Sequence, residues 1–187
     1  MSNRRLATLL ILAPLVLPSA GLGHIRLAGQ FAMTGRITAA DAVPTERVGE
    51  TVSRTWDFLA PCPQGQCLTE GLVRSRAVGG DTTTLRRSKI TVFSRWRGQG
   101  SFSAPLRCGA HVDPLGERVF FRITVQITAA AVVVGATVAT AVKATYESYR
   151  RTNRTRCVGV LGHDAAVYTG KLVTPVPAPP APTPAPG

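Results

Sequence analysis

The chain has 187 residues, 44% of them hydrophobic and only 17% charged, with a formal net charge of +12. That length suits one domain with a core of its own. The basic balance works against cationic partners and favours anionic ones, while also keeping a protein soluble.

The first residues carry Arg4 and Arg5, then the apolar run Leu6 to Leu17, then Pro18, Ser19 and Ala20. A basic start, a short apolar segment and small residues before a cleavage point predict a secretory signal peptide over residues 1–20. No cysteine stands near the end of that run, so a lipoprotein anchor is not expected. Removing it leaves 20 basic residues against 10 acidic ones, nearly all of the bases arginine. The expected localisation is secreted or extracytoplasmic, in association with the cell envelope.

Cysteines 62, 67, 108 and 157 remain after export. In an oxidising compartment an even set reads as disulfides. The expected pairs are Cys62–Cys67, bracketing a four-residue turn, and Cys108–Cys157. The second closes a loop of about 50 residues, for which chain entropy gives about 4 kcal/mol. The spacings do not suit a zinc knuckle, so no metal site is expected.

Period-two alternation predicts strands in order along the chain. Weak patterning marks residues 24–40, and a surface loop is expected over 41–50. Thr51 to Ala60 carries Trp56 and Phe58 on one face. Leu68 to Arg76 follows the cysteine turn, and Thr82 to Arg87 follows Gly79-Gly80-Asp81. Ile90 to Trp96 alternates, Gly98-Gln99-Gly100 is expected to turn the chain, and Phe102 to Cys108 returns it. After a turn at Asp113 to Gly116, Val119, Phe121, Ile123, Val125 and Ile127 alternate with polar residues. The pattern resumes from Ala136 to Tyr146, so two long strands should fold back near Gly135. Val158 to Leu161 and Ala165 to Val173 read as short terminal strands. From Thr174 the chain is proline-rich and polyproline-like, unable to build a core.

The expected architecture is all-β, an antiparallel meander barrel or sandwich of about 8–10 strands stapled by disulfides. It spans residues 21–173, with a tail over 174–187. The rival reading takes residues 123–142, which carry no charge, as a membrane span. Gln126, Gly135 and the load of β-branched residues favour strands.

For chemistry, His163-Asp164 is the one adjacent His–Asp pair, the basis of a third-ranked reading as an exported hydrolase. No nucleophile elbow, zinc-protease motif or phosphate-binding glycine loop occurs, so no catalytic residue, enzyme activity or cofactor is expected. The most specific feature is the cluster Arg150, Arg151, Arg154 and Arg156, with Tyr146 and Tyr149 before it. An extended chain would present Arg150, Arg154 and Arg156 on one side, flanked by rings able to stack. Arg86, Arg87, Arg95, Arg97 and Arg107 fall in neighbouring expected strands and would extend a basic face.

The Thr55-Trp56-Asp57-Phe58 strand, the Cys62/Cys67 turn and the later Cys108 and Cys157 resemble small secreted actinobacterial proteins of unassigned function. That resemblance implies an all-β extracytoplasmic domain and supplies no activity. The leading expectation is a non-enzymatic envelope β domain that binds an anionic envelope polymer, lipid headgroups or an apolar small ligand. Sequence-specific nucleic-acid binding is not expected. A purely structural surface module is the runner-up, and the sequence does not specify an oligomeric state.

Overall fold

The computed structural model describes residues 25–43, 46–62, 67–75, 80–89, 94–133 and 136–175. Eight strands follow one another: β1 (Gly29–Asp41), β2 (Thr51–Leu59), β3 (Thr69–Ser75), β4 (Gly80–Lys89), β5 (Arg95–Cys108), β6 (His111–Val133), β7 (Ala136–Asn153) and β8 (His163–Thr174). Each pairs antiparallel with the next and β8 pairs with β1, closing a meander barrel rather than a sandwich. One end carries the β1–β2, β3–β4, β5–β6 and β7–β8 connections and is called the upper end. β1 begins and β8 finishes at the lower end. The expected signal peptide over 1–20 and residues 176–187 of the tail lie outside the described residues, as does the Pro63 to Gln66 turn.

Alternation is the force behind this architecture. In β1 the residues Phe31, Met33, Gly35 and Ile37 are buried while Ala32, Thr34, Arg36 and Thr38 are exposed. In β6 every second residue from Val119 to Ile127 is buried, as the sequence pattern requires. The interior is filled with rings: Phe31 meets Phe58 at 5.3 Å, Trp56 meets Tyr168 at 5.0 Å, and Phe121 meets Tyr146 at 5.7 Å between centroids. Trp56 and Trp96 are core residues, both fully buried.

Large side chains fit because glycines face them. Met33 pairs with Gly170 and Tyr168 with Gly35, and each glycine leaves the space its partner's side chain occupies. A methyl group on Gly35 would fall on the Tyr168 ring. Gly35→Ala should therefore cost about 1–3 kcal/mol through forced displacement of that ring, read as a lower urea midpoint. An unchanged midpoint would show that the ring moves freely.

Several expectations are corrected. Residues 123–133 and 136–142 are strand, paired from Ile123↔Tyr146 to Val133↔Ala136, so the membrane-span reading of 123–142 does not hold for a helix. No helix among the described residues is long and apolar enough to cross a membrane. Gly98 and Gly100 do not turn the chain; they lie inside β5, where added methyls would meet Leu85 at 2.7 Å and Phe121 at 2.6 Å. Asp113 to Gly116 is likewise inside β6, at a register shift opposite Ala104/Leu106, with the Leu115 N–H donating to the Asp113 carboxylate at 2.9 Å. The β5–β6 turn sits earlier, at Gly109, whose φ of 64° is the left-handed conformation that favours glycine. Val158 to Leu161 is loop rather than strand.

Both expected disulfides are present, with Cα separations of 5.6 Å for Cys62–Cys67 and 5.8 Å for Cys108–Cys157. Such bonds fit an oxidising, extracytoplasmic setting. The segment before β1 adds a further element. The Arg26 N–H donates to the Thr137 carbonyl at 2.9 Å and the Ala139 N–H to the Arg26 carbonyl at 2.8 Å. Ile25, Leu27 and Ala28 are buried, so this strap seals the seam where β7 runs below its pairing with β8.

Candidate anion-binding wall and the charged interior

The six residues expected to form a basic, aromatic site do not stay together. Tyr146 points into the core against Phe121. Tyr149 is exposed and stacks with the Arg122 guanidinium, 4.4 Å from its centroid. Arg150 is exposed and lies over the outer Phe120 ring at 5.4 Å. Arg151, its neighbour, turns inward. The cause is a bulge: Phe120 pairs with Arg150 but Phe121 with Ser148, so Tyr149 is an extra residue and the inward parity moves to Arg151. Beyond Asn153 the strand ends. The Asn153 carboxamide oxygen accepts from the Thr155 N–H at 2.7 Å and its NH2 donates to the Cys157 carbonyl at 2.6 Å. These bonds fold the chain into a loop, so Arg156 leaves the wall for the upper end, while Arg154 stays beside β6 and reaches back to the Ser103 hydroxyl of β5 at 3.1 Å.

The interior is unexpectedly charged. Arg151 donates to Glu117 on one side and Asp164 on the other, with all three side chains no more than 9% exposed. Burial raises the Glu117 carboxyl above the usual carboxylate range, against the pull of Arg151. Burial also opposes the Arg151 charge, but Asp164 and Glu117 outweigh it and hold its pKa above the ordinary value. A second pair joins Arg74 Nε to Asp81 at 2.8 Å and Nη2 at 2.9 Å, directly opposite in the β3–β4 register. The Arg74 guanidinium also lies over the Phe121 ring at 4.0 Å. Near the lower end Glu70 is 1% exposed, and neither of its carboxylate oxygens has a hydrogen-bond partner among the described residues. Burial lifts its carboxyl to about 8, despite the nearby Arg26 and Arg87.

His163-Asp164 does not form an acid–base pair. Successive residues of a strand face opposite ways. His163 is outside, 3.9 Å from Glu147, and Asp164 is inside on Arg151.

A basic face does exist, on the outer wall. One row across the strands runs Arg86, Arg97, Thr124, Thr145, Val167 and Arg36, each residue registered against the next. A second row runs Arg95, Gln126, Lys143, Thr169 and Thr34. Neighbouring strands lie about 5 Å apart and outward residues about 7 Å apart along a strand, so the cations form a grid. An open groove of about 720 Å³ lies on this wall, lined by Arg36, Arg95, Arg97 and Lys143 and by no acid among the described residues. A neighbouring groove of about 980 Å³ adds Arg86 and Arg122, with Glu147 as its acid.

Of the expected extension, Arg86, Arg95 and Arg97 belong to this grid. Arg87 has the inward parity, and Arg107 stands at the upper end. Arg36, Arg122 and Lys143 were missed as site residues. Each holds the outward position in an alternating strand, and that parity was the available signal. Comparison of the chain with protein-family models, curated proteins and solved structures found no match.

Proposed function

We propose that this is an exported, non-enzymatic barrel that holds an anionic envelope polymer along its outer wall. The observation that supports the reading is the cation grid over an open groove, with threonine hydroxyls and the Gln126 amide between the charges. Guanidinium groups bind phosphate or carboxylate through paired N–H donors, and interleaved hydroxyls suit a hydroxylated chain. A filled interior, packed by Trp56, Trp96, Phe31, Phe58 and Phe121, gives an apolar small ligand less support than the wall gives an anion. The residues expected to carry the anion are thus Arg36, Arg86, Arg95, Arg97, Arg122 and Lys143, with Tyr149 and Arg150 at the margin.

The test uses the chain from Gly21 onward, which keeps all eight strands and both disulfides, with soluble polyphosphate as the probe. Arg97→Gln with Lys143→Gln removes two exposed cations from the grid without touching the core. At roughly 1 kcal/mol per cation, affinity should fall about tenfold to thirtyfold. Binding by the unaltered barrel should also weaken as salt rises. A purely structural module would bind no polyphosphate, and binding indifferent to salt or to the paired substitution would defeat this reading.

A further inference from the structure

The upper end of the barrel carries a second surface of different chemistry. Val158 is 99% exposed, Val160 76%, Leu115 52%, Val112 44% and Leu161 39%. All five belong to the 154–162 loop or to the β5–β6 hairpin beside it. A groove of about 470 Å³ beside Val158 and Val160 is lined by these two with Ala40, Ala42, Val43 and Arg107. Exposed aliphatic side chains in such density need a reason in a water-facing domain.

The crown is built rather than loose. Cys108–Cys157 ties the loop to the end of β5, and the Asn153 NH2 group holds the Cys157 carbonyl. Gly159 sits so close to Leu106 that an added methyl would come within 2.8 Å of it. Gly162 presses on the Asp41 carbonyl, where an added methyl would come within 2.5 Å. The backbone is therefore anchored while the valines between those anchors point out.

Around the apolar tips stand Arg107, Arg154 and Arg156, all exposed. The acids at this end among the described residues are Asp41, Glu46, Glu50 and Asp113, with Asp81, Glu117 and Asp164 buried on Arg74 and Arg151. The Asp113 carboxylate is engaged by the Leu115 N–H and that of Glu50 by the Arg47 N–H. A second copy of the chain docking crown to crown would set these arginines against one another. A lipid surface instead offers acyl chains to the valines and leucines and anionic headgroups to the arginines. Short aliphatic tips with a basic rim combine the two weak signals that together hold a protein on a bilayer. The geometry is open to such contact, because β1 begins and β8 ends at the opposite end of the barrel.

We propose that the crown formed by Val112, Leu115, Val158, Val160 and Leu161, rimmed by Arg107, Arg154 and Arg156, docks on the surface of an anionic bilayer. The aliphatic tips enter the headgroup region while the barrel wall stays in water. This site is separate from the cation grid and does not depend on it.

Flotation with vesicles of phosphatidylcholine mixed with phosphatidylglycerol tests it, again with the chain from Gly21 onward. The unaltered barrel should float with these vesicles. Val158→Asp with Val160→Asp should lower the partition at least tenfold while leaving the thermal transition in place, since both side chains are already in water. Arg107→Gln with Arg156→Gln should lower it several-fold, and the wall pair Arg97→Gln with Lys143→Gln should change it little. The proposal is overturned if the unaltered barrel does not float, or if the double aspartate variant floats as well as it does. Loss with the wall pair alone would overturn it too, by assigning vesicle binding to the grid. Dimerisation that depends on Val158 without vesicle binding would replace the lipid by a second copy.

Discussion

Replacing Arg151 with methionine should cost the barrel about 3–5 kcal/mol at neutral pH, the largest loss expected from any single substitution of a charged residue here. Methionine matches much of the buried stem, so the penalty comes from charge. Glu117 and Asp164, both interior, lose the one guanidinium that lies between them. Two like charges then share a poorly solvated site, and Glu117, already raised by burial and by Asp164, loses the cation that pulled it down. Lowering the pH lets the Glu117 carboxyl take up a proton, so the deficit should shrink as pH falls through its raised value. Urea unfolding at pH 7.5 and again near pH 4.5 measures both effects. A deficit that stays the same at both pH values would mean that the loss is packing, and one below about 1 kcal/mol would remove the triad from the account of stability.

Glu70 should act in the opposite sense. Its carboxyl is raised from 4.5 to about 8 in the folded barrel, chiefly by burial, with Arg26 and Arg87 pulling it down. The folded state therefore holds its proton more tightly than the unfolded chain does. The stability associated with this proton is fully present below about pH 4.5 and is lost as pH rises toward 8. Glu70→Gln keeps the shape and removes the titration. The substitution should be close to neutral at pH 4.5 and stabilising above pH 8, by an amount of order several kcal/mol at most. Thermal unfolding of the two proteins across pH 4.5 to 9 should show midpoints that meet in acid and separate in base. Parallel curves would show that Glu70 has an ordinary pKa.

The barrel was legible where alternation is strict and the side chains are large. Val119 to Ile127 and Ala136 to Tyr146 specify a buried face on each strand, and the disulfide pairs follow from spacing. Glycine was the main source of error. Gly98, Gly100 and Gly116 carry the local signature of turns, but here each is space left for a facing side chain, and only packing distinguishes the two uses. The site was misplaced for a related reason. Arg150 and Arg151 are adjacent in sequence yet separated by the sheet, because a single extra residue at Tyr149 changes the parity. Arg36, Arg97 and Lys143 are far apart in the chain and meet through register across five strands. Register depends on where each hairpin turns, which alternation alone does not reveal.

The pairing of β1 with β8 joins Phe31 to Leu172, nearly the full length of the domain. Every other strand pair can form between near neighbours, so the hairpins are available early and the ring is not. Until the last strand arrives, β1 keeps one unpaired edge, and the strap at Ile25–Ala28 has only the end of β7 to hold it. Ring closure over so long a loop slows folding, because chain entropy is lost before the contacts that repay it are made. It also makes the chain all-or-none: a product shortened before β8 would retain both disulfide pairs and the whole cation grid up to β7, yet would present two open sheet edges to its neighbours.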